Sequence, residues 1–160
     1  MSDTTLLRIS ALAAMAGGLL RIAGTFAAQL GAHDAQLIYF ATDVLLVAGL
    51  LGIYLSRRGV LGAMGFAGFA VALFGILMIR SAELFGGYAM GAAITIIGFV
   101  VLGIAMLLAR MEKTAPILWI ASLVLGIAGS ALKLDVLAAL AGVAFGAGFA
   151  LAGWTLYRRA

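Results

Sequence analysis

The chain of 160 residues has no cysteine, one histidine, one proline and sixteen charged side chains. Each scarcity closes off a class of function. Without cysteine there is no disulfide, thiolate metal site, iron–sulfur cluster or thiol nucleophile. A lone His33 cannot supply paired-histidine haem ligation inside a bundle. H-E-x-x-H, G-x-S-x-G and P-loop signatures are absent, as is any aspartate-rich cluster that would hold magnesium to a diphosphate. No catalytic or metal-ligating residue is therefore assigned, no cofactor is implied, and the balance leans against an enzyme. Charged residues make up only 10% of the chain and hydrophobic ones 66%, whereas a soluble globule is nearer half apolar. Lipid accepts such an apolar exterior without penalty.

Long hydrophobic runs are what the chain does contain. A helix needs roughly 20 apolar residues to cross a bilayer, and runs of that order recur at about 6–30, 37–55, 60–79, 88–108, 116–132 and 136–157. The predicted fold is all-α, an integral membrane bundle of six transmembrane helices forming one domain over residues 1–160 with no soluble domain. The connections at 31–36, 56–59, 80–87, 109–115 and 133–135 are short enough to make successive helices antiparallel neighbours. Arg8 ahead of the first run resembles a signal-peptide flank, but Arg21 interrupts the run and it is too long for a cleaved leader, so it reads as a span. Asp34 is placed to cap the second helix, and Thr114 marks the start of the fifth just ahead of Pro116.

Basic residues are retained on the cytoplasmic side. The side that holds both termini carries Arg8, Arg57, Arg58, Arg110, Lys113, Arg158 and Arg159 against Asp3 and Glu112, seven minus two, or +5. The other side carries Arg21, Arg80 and Lys133 against Asp34, Asp43, Glu83 and Asp135, three minus four, or −1. Both termini are therefore expected in the cytoplasm, with the chain multi-pass in a membrane of the bacterial inner kind. The bases lie at helix ends rather than on one soluble face, which speaks against nucleic acid.

Segments 49–58, 101–110 and 150–159 end alike in arginine and carry Gly52, Gly103 and Gly153 at spacings of 51 and 50. The chain reads as three repeated helical hairpins, or as the repetition that any run of antiparallel spans with cytoplasmic arginines produces. Its 22 glycines fall at helical spacing rather than in loops. In lipid, close backbone approach along such faces supplies much of the packing energy. Gly142 and Gly146, four apart among Ala139, Ala150 and Gly153, are expected at a helix–helix contact. The phenylalanines and methionines fill the core, meet lipid or line a pocket for a small hydrophobic ligand.

An ionisable group inside a span costs roughly 2.5–3.5 kcal/mol on insertion scales and is a functional hypothesis by default. Arg21 and Asp43 are such groups, and their depths differ by an amount that an arginine side chain covers. They are expected to pair, either as a structural tie within the first hairpin or as a site handling protons, ions or an anionic substrate. Tyr39, Arg80 and Glu83 would complete an outer-half polar cluster. Lys133 and Asp135 snorkel to headgroups, and His33 is expected in a solvated turn.

Three functions are compatible with these features. The first is a non-enzymatic accessory or assembly subunit of a larger membrane complex, or a homo-oligomer, partnered by other membrane subunits or itself within the lipid bilayer. The second is a small-solute transporter or a protein binding a small hydrophobic ligand through the outer-half cluster. The third is an intramembrane enzyme on a lipid or isoprenoid, with Asp43 or Glu83 as proton donor.

Overall fold

A backbone N–H or C=O left unpaired in hydrocarbon costs several kcal/mol, so each apolar run must satisfy itself as a helix. The structure, a computed structural model, describes residues 3–26, 32–80 and 88–160, excepting the side chains of 3, 32–36 and 80. It is all-helical over these residues: α1 (Asp3–Thr25), α2 (Ala32–Leu55), α3 (Arg58–Arg80), α4 (Tyr88–Leu108), α5 (Thr114–Leu132) and α6 (Asp135–Arg159). All six contain a stretch long and apolar enough to cross a membrane.

Glycines set the register of each antiparallel pair. Gly49 lies on Ala14 and Gly52 on Ser10 between α1 and α2. Gly68 faces Leu102 and Gly75 faces Thr95 between α3 and α4, and Gly129 faces Ala138 between α5 and α6. The three hairpins close into a ring. α4 meets α5 where Gly103 sits on Pro116, and α6 meets α1 where Gly146 sits on Gly18 and Gly153 on Ala11. Between α2 and α3 the contact is the loosest of any pair of sequential helices. The recurring glycines show why. Gly103 and Gly153 face the following helix in the ring, whereas Gly52 faces back to Ser10 of its own hairpin, so the α2–α3 seam lacks the close approach that seals the other two.

The centre is filled by aromatics. Phe99 of α4 lies 5.0 Å from Trp119 of α5, 5.0 Å from Phe145 and 5.4 Å from Phe149 of α6, centroid to centroid, all four buried. Such offset and edge-to-face pairs each add about 0.5–1.5 kcal/mol beyond their burial. Buried hydroxyls in the bundle bond to carbonyls: Thr42 to Ile38 at 2.7 Å, Thr95 to Gly91 at 2.8 Å and Ser122 across to Ala141 of α6 at 2.8 Å.

Helix starts differ from expectation in two places. α2 begins at Ala32, so His33 and Asp34 occupy its first turn rather than a loop. At α5 the capping position falls to Lys113, which makes no side-chain cap, and Thr114 is already helical.

α3 departs from a straight helix at Gly62 (φ 59°, ψ −160°). That backbone region is essentially restricted to glycine. The break lets Leu61 fold back over Gly65, whose missing Cβ leaves the room, and Leu61 is buried there.

Two turns end in a left-handed residue that is not glycine, Arg110 (φ 53°) after α4 and Lys133 (φ 55°) after α5. Met111 N–H reaches back to the Met106 carbonyl and Arg110 N–H to that of Leu107; Leu134 N–H likewise reaches Gly129. This is the Schellman arrangement that glycine favours. Arg110→Gly and Lys133→Gly are each expected to stabilise the bundle by on the order of 1 kcal/mol, the left-handed penalty less the added freedom of the unfolded chain. A shift of the SDS-denaturation midpoint toward higher detergent fraction checks this; an unchanged or lower midpoint contradicts it.

Candidate functional site

The loose seam opens into a groove of about 220 Å³ lined by Phe40, Asp43, Val44 and Val47 of α2 and Ile76 and Leu77 of α3. Asp43 is the one ionisable side chain among the described residues of these walls. It lies eleven residues from the start of α2 and twelve from its end, well inside the candidate span Leu37–Leu55. Toward the end of the bundle that holds the termini, the seam is shut by aromatics. Tyr54 of α2 stacks on Phe69 of α3 at 4.4 Å and tilts against Phe66 at 6.2 Å. The groove is therefore open to the side, in the half away from the termini.

Arg21 does not share this site. Arg57 and Glu112 form a salt bridge between described side chains, whereas Arg21 and Asp43 do not pair with each other. Asp43 has interactions of its own, but Arg21 is not its salt-bridge partner. The reason is helix rotation. α2 meets α1 through Tyr39, Leu45, Leu46 and Gly49, and successive residues on a helix are turned by about 100°. Asp43 lies off that face and looks into the seam with α3, while Arg21 stays half-buried on α1.

Tyr39 is tied to α1 instead. Its hydroxyl donates to the Gly24 carbonyl at 3.0 Å, and a Cβ on Gly24 would stand 3.1 Å from the tyrosine ring. The side chain of Arg80 and all of Glu83 lie outside the described residues, as do the side chains of His33 and Asp34. Gly142 faces Thr25 and Gly146 faces the Gly18 carbonyl, both on α1.

The pair Arg57–Glu112 is absent from the sequence-based expectations. Arg57 sits in the two-residue turn between α2 and α3, Glu112 between α4 and α5. The side chains are 3% and 10% exposed, with Arg57 Nη2 3.5 Å from Glu112 Oε2, and Arg57 Nη1 donates to Met106 Sδ at 3.9 Å. Neither Nη2 nor Oε2 has a hydrogen-bond partner, so the contact is ionic rather than hydrogen-bonded. Burial draws the Arg57 pKa below the ordinary arginine value; Glu112 opposes that shift and the Arg159 charge adds to it. A turn of two residues gives Arg57 little freedom to reach water, which was the available clue. Partners 55 positions apart leave no local spacing to read.

Comparison with protein-family models, with curated proteins and with solved structures finds no match to this chain.

Proposed function

We propose that this chain binds a slender, lipid-soluble molecule in the α2–α3 groove, taking it from and returning it to the surrounding lipid. The observation that carries the reading is the groove itself, apolar over almost all of its described surface, with Asp43 in its wall near the middle of α2. The surface of the groove is almost wholly apolar, which suits a hydrocarbon chain. The charge asymmetry favours both termini on the cytoplasmic side of a membrane of the bacterial inner kind, an orientation in which the groove faces the outer leaflet.

The accessory-subunit reading drew on abundant helix-packing faces, but most of those glycines contact helices within the chain. What still favours it is a residual face on α5. Gly126 meets only Ala141 at an ordinary 3.9 Å, and Ser130, four residues on, is exposed. Such small residues at a spacing of four admit a neighbouring helix.

Native mass spectrometry of the protein released from mild detergent distinguishes the two. The wild type is expected to carry a bound small molecule that is lost from Asp43→Asn and from Val47→Trp, which fills the groove. Retention of the same bound species by both variants overturns the groove reading, and a second protein chain released in fixed ratio supports the accessory one.

A further inference from the structure

We infer that the α3–α4 hairpin is a lateral gate, which swings on α5 about Gly62 and Arg110 to part α3 from α2 and is held shut by the Arg57–Glu112 ion pair. The gate rests on the ligand-binding reading for its purpose, since it governs access to the Asp43 groove, but its motion is independent of any ligand.

Four features of different kinds converge on this. The hairpin is internally rigid, because its helices interlock backbone to backbone along their length. A Cβ on Gly91 would stand 2.7 Å from Ile79 N, and Gly68, Gly75 and Gly98 sit as closely on Leu102, Thr95 and Ala72. Elements so closely packed move as one body. Its attachments are unequal. Toward α5 it is anchored by the Phe99–Trp119 contact and by Gly103 on Pro116, whereas toward α2 it meets the loosest interface between sequential helices.

Its two ends are also special. Left-handed backbone occurs at only three described residues, and two of them, Gly62 and Arg110, bracket the hairpin on the same side of the bundle. Nothing lies within 4 Å of where a Cβ on Gly62 would be, and the contact that rotation there must release is that of Leu61 on Gly65. Hinges are a few terminal residues that absorb changes in φ and ψ.

Finally, the ion pair spans the two hinges. Arg57 precedes Gly62 by five residues and Glu112 follows Arg110 by two, so their attraction fixes how far apart the hinge bases stand. A buried charge pair is weak evidence for stability but well suited to specifying one of two arrangements. With the pair intact, Tyr54 stays stacked on Phe69 and the seam is closed on the terminal side. Without it, the bases can separate and α3 can slide off α2.

The chain has no cysteine, so introduced thiols are the sole labelling sites. Spin labels at Val44→Cys and Leu77→Cys report across the seam, and labels at Leu12→Cys and Leu151→Cys report the α1–α6 contact as reference, all four positions being exposed. In nanodiscs, Glu112→Gln is expected to raise several-fold a seam population longer by on the order of 5 Å, half an interhelical spacing, with the reference distance unchanged. The exchange Arg57→Glu with Glu112→Arg should restore the short distance. An unchanged seam distribution in Glu112→Gln overturns the gate, and so does an equal lengthening of the reference pair. Should Glu112→Gln not fold, Glu112→Asp, with a shorter arm, is read in the same way. Loss of the bound small molecule from the reading above with seam opening intact counts against that reading alone.

Discussion

Gly146→Leu is expected to destabilise the bundle by about 3 kcal/mol or more, at the upper end of what overpacking costs. A Cβ there would stand 2.5 Å from the Gly18 carbonyl oxygen and 2.8 Å from Ile22 Cγ1. The first obstacle is backbone of a packed helix, so α1 and α6 have to separate. Gly142→Leu should cost less, because the nearest atom, at 2.6 Å, is the Thr25 hydroxyl, which can turn away at the loss of its bond to the Arg21 carbonyl. Gly126→Ala is the counterpart. With only Ala141 at 3.9 Å, it should stabilise by up to about 1 kcal/mol through helix propensity. Unfolding in SDS–detergent mixtures gives all three. Equal effects for Gly146→Leu and Gly126→Ala would mean that the α1–α6 contact is not held by close backbone approach.

The second large effect concerns Arg57 and Glu112. Removing either partner strands a buried charge, so Arg57→Ala and Glu112→Ala are each expected to cost about 3–5 kcal/mol. The double change should cost less than the sum, because the second removal abolishes the charge that the first exposed. Arg57→Met with Glu112→Leu, which fills the same space without charge, is expected to come close to wild-type stability, as replacement of buried ion pairs often does. A double-mutant cycle measured by equilibrium unfolding reads the coupling directly, and strict additivity would show that the two side chains do not interact. Such a variant is stable without a charge latch, which separates the pair's contribution to stability from its role in holding the seam.

The sequence by itself determined how many helices form, roughly where they lie and in what order they alternate. The expected fourth span, 88–108, is the helix Tyr88–Leu108, and the fifth and sixth differ from expectation by at most two residues at either end. Membrane insertion explains this success: transfer energy accumulates residue by residue along a run, so it depends on composition and length, which are written in one dimension. Glycine spacing likewise marked which faces can approach closely, because a missing side chain is a local property. Only the tertiary structure decided which of those faces meet. A rotation of one residue along α2 puts Asp43 in the seam with α3 rather than opposite Arg21, and no periodicity in the sequence distinguishes the two. The break at Gly62 was hidden among glycines that look alike in sequence, since among the described glycines it alone carries left-handed backbone. The pairing of Arg57 with Glu112 depends on two distant turns arriving at the same place. Both arginine and glutamate would be solvated if either turn lay elsewhere. Burial of that pair, closure of two hairpin interfaces and slackness of the third are properties of six helices fitted together, where pairwise shape rather than summed hydrophobicity selects the arrangement.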